Sequence, residues 1–131
     1  LALGADFAYV GTKFIATEEA NASPGYKQMI IDSTADDIMY SATFTGVNGN
    51  YLRPSVEAAG LNPEEHTSGS KDDMNFSTSA IAKKDNSSKA WKDIWGSGQG
   101  IGTIKDAPSV QTAVDQMVSE YEEAKSRLDN F

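Results

Sequence analysis

Apolar and polar positions follow several different periods along this chain, and each period predicts a different element. Residues 7–10 (Phe-Ala-Tyr-Val) form a short apolar run between Gly4-Ala-Asp6 and Gly11-Thr12. An unbroken apolar run bounded by turn residues is the pattern of a strand buried on both faces, as in a parallel sheet. Just before it, Leu1-Ala-Leu-Gly4 reads as the end of a helix closed by glycine, so the chain is expected to begin in mid-element. Ser23 stands as an N-cap before Pro24 at the first helical position, with Tyr26, Met29, Ile30 and Ser33 following on one face. Residues 37–44 carry Ile38, Tyr40, Ala42 and Phe44 at alternate positions, which predicts an extended segment ended by Gly46, Asn48, Gly49 and Asn50.

The second half is read as mostly helical. Residues 52–59 open with Arg53-Pro54, close at Gly60, and place Leu52, Val56 and Ala59 at helical spacing, which predicts two turns of helix. Residues 62–85 are polar and aperiodic and read as a loop or insertion. Over residues 89–95, Trp91, Ile94 and Trp95 share a helical face that reads as core packing, and Gly96-Ser-Gly98 stops it. The clearest element is the last. Val110, Ala113, Val114, Met117, Val118, Tyr121, Ala124 and Leu128 recur at three- and four-residue steps, predicting an amphipathic helix of about five turns. Asp106 and Ser109 compete as its N-cap around Pro108, while Lys125 and Arg127 lie where the helix dipole favours cations. One buried parallel strand followed by a mostly helical region gives an α/β class.

Composition narrows the function. A chain of 131 residues with 39% hydrophobic residues can build one core, so a single segment over residues 1–131 is expected. The formal charge of −8 is spread along the chain, which argues against phosphate-backbone binding and hence against nucleic acid. The absence of cysteine excludes disulfides, thiolate metal sites and cysteine nucleophiles. No apolar stretch approaches the roughly 20 residues that span a bilayer, so no membrane role and a cytoplasmic location are expected. The Asn-x-Ser triplets at Asn21, Asn75 and Asn86 read as chance occurrences in a Ser- and Asn-rich chain.

Few residues offer chemistry. Glycine at the carboxyl end of a strand lets a ligand approach the backbone, and a following amide and hydroxyl can donate to phosphate. Gly11 and Thr12 therefore make a candidate anion cradle, and barrels of alternating strands and helices often hold phosphate after their last strands. His66, in Asn-Pro-Glu-Glu-His-Thr-Ser, reads as an exposed loop residue and not as a base. The acid pairs Glu18-Glu19, Glu64-Glu65, Asp72-Asp73 and Glu122-Glu123 read as solvated faces, because neighbours in a regular element point in different directions. Gly96, Gly98, Gly100 and Gly102 match neither the dinucleotide fingerprint nor a Walker loop. They are read as a tight chain reversal, with Gln99 a candidate pocket contact. No metal set and no catalytic residue is assigned.

The segment Leu3-Gly-Ala-Asp-Phe-Ala-Tyr-Val-Gly-Thr-Lys-Phe14 resembles the flavin-phosphate motif of the nitronate monooxygenases, formerly called 2-nitropropane dioxygenases, in which Leu-Gly-Ala-Asp leads to Gly-Thr-Arg-Phe. Phe44-Thr-Gly-Val-Asn-Gly-Asn-Tyr-Leu-Arg-Pro-Ser55 with Ala58-Ala-Gly-Leu61 resembles that family's C-terminal region. So does Trp91-Lys-Asp-Ile-Trp-Gly-Ser-Gly-Gln-Gly-Ile-Gly102, continuing into Asp106-Ala-Pro108. The matches run in family order to about Leu128.

The resemblance implies the C-terminal portion of an FMN-binding β/α (TIM) barrel, with the last strand and phosphate loop in residues 3–14 and a helical and loop region over 23–131. It implies FMN as cofactor and oxidation of alkyl nitronates by O2 to carbonyl compounds and nitrite. Gly11 and Thr12 would hold the phosphate, with Tyr9 and Val10 completing this chain's share of the FMN site. Tyr9 stands where the family often has Gln. Lys13 replaces the usual Arg, keeping a charge without the planar fork. The family's catalytic histidine belongs to an earlier region, so the isolated chain is expected to be inactive and to associate with an upstream segment or with itself. The alternatives are a related enoyl-acyl carrier protein reductase, another NAD(P)H-dependent flavin oxidoreductase, or an inactive remnant.

Overall fold

The computed structural model describes residues 1, 4–45, 47–66 and 93–129. They fall into two compact units: Leu1–Ile31 with Ile104–Phe131, and Asp32–Thr103.

In the first unit, helix α1 spans Thr12–Ile15, α2 spans Pro24–Asp32 and the long α4 spans Val110–Asp129. The α2 start follows the sequence pattern, with the Tyr26 amide donating to Ser23 Oγ at 3.3 Å. The choice of cap for α4 falls to Ser109, whose hydroxyl oxygen accepts from the Thr112 amide at 3.2 Å. Its side chain satisfies one of the donors that every helix start leaves without an intrahelical partner. Ala16, Thr17, Ile30, Ile104 and Ala113 are buried. No described helix is long and apolar enough to cross a membrane.

The second unit is built on an antiparallel hairpin of β1 (Ile38–Ser41) and β2 (Gly49–Leu52), with Ile38 opposite Leu52 and Ser41 opposite Gly49. The alternating pattern of residues 37–44 thus becomes a strand in its first half and a turn in its second. Residues 95–97 run along the other edge of β2. Tyr51 bridges Gly96, the Leu52 amide donates to the Trp95 carbonyl at 2.8 Å, and the Ser97 amide donates to the Asn50 carbonyl at 3.2 Å. Glycine suits position 96, because a Cβ would lie a tight 3.3 Å from the Asn50 carbonyl oxygen. The four glycines of 96–102 therefore serve a strand-like edge as well as a reversal, which is a 3-10 turn at Gln99–Thr103.

Helix α3, Arg53–Ala58, follows β2 directly and ends where Gly60 takes a left-handed φ of 80°. The Gly60 amide donates to Glu57 and the Leu61 amide to Val56, so the last carbonyls of α3 are satisfied while Leu61 packs back on the core. That core holds Met39, Phe44, Val56 and Ile94, with Phe44 edge-on to Tyr51 at 4.9 Å between ring centres. Beneath it, the buried Ser55 hydroxyl donates to the Leu52 carbonyl at 2.7 Å and accepts from the Trp95 amide at 3.0 Å. Arg53 pairs with Glu64, and this hydrogen bond holds its guanidinium pKa above the usual value.

Five expectations need correction or bounding. Residues 7–10 form no strand, and Phe7 and Tyr9 are 90% and 103% exposed. Nothing among the described residues pairs with their backbone, and a two-sided strand exists only where neighbours supply both edges and both faces. The described sheet is two-stranded and antiparallel, so an α/β arrangement with a mostly helical C-terminal region is present but no closed barrel. Residues 89–92 of the helix expected over 89–95 and most of the loop over 62–85 lie outside the described residues, as does all of Leu1-Ala-Leu-Gly4 except its ends, while Ile94 and Trp95 are not helical and Trp95 runs along β2. Gly4 has the left-handed φ of 97° expected of a closing glycine, and its amide donates to the Leu1 carbonyl.

Candidate phosphate loop

The four residues singled out as cofactor contacts lie in one continuous stretch. Tyr9 and Val10 are exposed on the unpaired segment, and the chain then turns into α1 at Gly11 and Thr12. The Gly11 carbonyl accepts from the amides of Phe14 and Ile15 at 3.0 and 3.2 Å, and the Thr12 carbonyl accepts from Ala16 at 3.3 Å. Gly11 itself has φ −116° and ψ −59°, a conformation open to any residue. A Cβ built on it would meet no atom of this chain within 4 Å. Neither backbone strain nor internal crowding therefore calls for glycine at this position. What glycine does leave is open space beside the backbone, which admits the close approach of a ligand such as phosphate.

Lys13 is committed elsewhere. Its ammonium donates to Gln116 Oε1 of α4 at 3.3 Å, so the side chain that replaces the family's arginine ties α1 to the long helix.

A dense set of hydrogen bonds follows just after α1. Thr17 is fully buried and its hydroxyl donates to the Phe14 carbonyl at 2.8 Å. The Lys27 ammonium of α2 donates to the carbonyls of Thr17 and Glu18 at 2.6 and 3.0 Å. The Glu18 amide donates to the Pro108 carbonyl at 3.0 Å, and the Glu19 carboxylate accepts from the Val110 amide through both oxygens. Glu18 and Glu19 are both exposed, as expected of a solvated pair, and the Glu19 carboxylate in addition caps α4. No local signal could have found this contact, since the partners lie 91 residues apart. On α2, burial raises the Tyr26 phenol pKa above its usual value of 10.0.

Elsewhere, Gln99 is exposed in its 3-10 turn, and His66 closes the turn Pro63–His66. Among the described residues, no three His, Asp or Glu side chains gather as a metal site would need.

A family model described as nitronate monooxygenase matches residues 1–120. The chain belongs to the nitronate monooxygenase family. Two solved structures have a similar fold: FabK from Thermotoga maritima, at TM-score 0.66, and a point mutant of it at 0.64. Each is 21% identical and covers 98% of this chain. The chain spans 41% and 38% of those two solved chains, about two fifths of their length. A search of curated proteins found no match.

Proposed function

We propose that this chain forms part of an FMN-dependent nitronate monooxygenase that oxidises alkyl nitronates with O2 to carbonyl compounds and nitrite, and that it supplies part of the FMN phosphate site. The observation that carries this reading is the family match over residues 1–120, which includes the Gly11-Thr12 loop. The open space at Gly11 supports it, because the glycine answers to no demand of the chain's own packing.

In this reading the Gly11 amide and the Thr12 hydroxyl donate to phosphate oxygens, and Tyr9 and Val10 lie against the cofactor on the approach to the loop. The flavin, when bound, supplies the redox chemistry. This chain's task is to hold and orient one end of it. The proton-abstracting base belongs to a region outside these residues, as the family resemblance implies.

Thr12→Val tests the site. The substitution keeps the shape and deletes the donor, which leaves a charged acceptor one hydrogen bond short. The expected loss is about 1.5–3 kcal/mol, or roughly one to two orders of magnitude in FMN affinity. Unchanged affinity would remove Thr12 from the site. Flavin reduction by NAD(P)H without turnover of nitronate would favour the reductase alternative.

A further inference from the structure

The Glu18-Glu19 pair takes no part in the flavin contacts proposed above, yet it sits on a stretch of the first unit tied by several hydrogen bonds. Val110 opens α4, and its amide is one of the N-terminal donors that have no partner within their own helix. That amide donates to both Glu19 carboxylate oxygens, at 3.0 and 2.9 Å. A carboxylate at this place is favoured by the hydrogen bonds and by the dipole of a twenty-residue helix. The two residues before it are held as well. Glu18 is fixed through its amide to Pro108, and the carbonyls of Thr17 and Glu18 both accept from Lys27. Three consecutive residues thus fasten the exit of α1 to the start of α4 and to α2.

Helix α1 has four residues, too few to hold its shape alone. Its first turn is closed on the Gly11 carbonyl, and near its end the Phe14 carbonyl accepts from both the amide and the hydroxyl of Thr17. Where Gly11 and Thr12 sit therefore depends on what holds the other end, together with the Lys13–Gln116 hydrogen bond to α4.

We propose that Glu19, with Lys27, is a positioning residue for the flavin phosphate: by capping α4 it fixes the Gly11-Thr12 loop through α1 without touching the cofactor. The inference rests on the phosphate reading of that loop. A loop held in its binding conformation pays less ordering entropy when phosphate arrives, so loosening it weakens phosphate binding and leaves binding of the flavin ring alone.

The test compares FMN with riboflavin, which has the same ring and no phosphate, by quenching of flavin fluorescence on the flavin-free protein that contains this chain. Glu19→Ala is expected to lower the preference for FMN over riboflavin by about threefold to thirtyfold, with riboflavin affinity unchanged. Lys27→Met should act in the same direction, and Glu19→Gln, which keeps one carbonyl acceptor, should recover part of the loss. Equal weakening of both flavins by Glu19→Ala would mark a general structural role and overturn the proposal. Thr12→Val, measured in parallel, separates the two readings. A preference that falls in Thr12→Val and persists in Glu19→Ala sinks the positioning role alone. A preference that persists in Thr12→Val moves the phosphate away from this loop and takes the positioning role with it. Should Glu19→Ala not fold, Glu19→Gln and Lys27→Met carry the same comparison, and an unchanged preference in both overturns the proposal.

Discussion

Residues 7–10 and residues 38–41 are both four-residue apolar-rich stretches that the sequence pattern marks as extended, and they end in opposite conditions. Residues 38–41 become β1, whose edge is paired with β2 and whose Met39 is buried in a core with Phe44, Val56 and Ile94. Residues 7–10 have no ladder, and Phe7 and Tyr9 stand in the open. The apolar content of the two does not separate them. The neighbours do: β1 meets a partner eight residues downstream, within reach of a turn, while no described backbone pairs with 7–10. A strand is a property of a sheet, and the sequence of one segment states only what it would suit.

The comparison breaks most visibly in activity. With FMN and propyl nitronate supplied, residues 1–131 alone are expected to show no turnover, because a loop that holds phosphate cannot replace the base or the ring pocket. Positioning and proton transfer together account for many orders of magnitude in rate. The bare side chains of Phe7 and Tyr9, with the exposed Val114, Val118, Tyr121 and Leu128 of α4, should also drive association, giving a light-scattering mass above 14.0 kDa. Turnover matching an intact family member, or a monodisperse 14.0 kDa species, would show that residues 7–10 are as self-sufficient as the hairpin.

Stability sharpens the same contrast. Leu52 is fully buried opposite Ile38, so Leu52→Ala should cost about 2–5 kcal/mol in denaturant unfolding of this chain. Phe7→Ala, at a larger but uncovered side chain, should stay within about 0.5 kcal/mol. Comparable losses from the two substitutions would mean that Phe7 is covered in solution.

The elements legible in the sequence are those whose causes are local. The three- and four-residue steps from Val110 to Leu128 and the Ser109 cap locate α4, Ser23-Pro24 locates α2, and Gly60 marks the end of α3. Strand β2 was hidden because Gly49 and Asn50 are turn-forming types, and their role as strand residues comes from β1 on one side and residues 95–97 on the other. Gly96 looked like a stop signal, whereas it is there to let two backbones approach. At the candidate site, Gly11 and Thr12 were legible through a motif. Glu19 and Lys27 were not, since their partners are the first amide of a distant helix and two backbone carbonyls, neither of which has a sequence signature.

The smallest effect concerns an aromatic that the first unit does cover, in contrast to its bare Phe7 and Tyr9. Tyr26 on α2 is half-buried, and desolvation raises its phenol pKa above 10.0. The folded state therefore binds this proton more tightly than the unfolded state, and the proton number difference fixes the sign of the pH dependence. The contribution is fully present below the unfolded pKa near 10 and is lost as pH rises through the higher folded value. Thermal unfolding followed from pH 9 to pH 11 should thus show stability falling with pH, with a shallower fall in Tyr26→Phe. The slope is the quantity to compare, because the substitution also removes a hydroxyl and shifts the absolute stability at every pH. Equal slopes in the two proteins would place Tyr26 in water, with Phe7 and Tyr9, and would erase this half of the contrast.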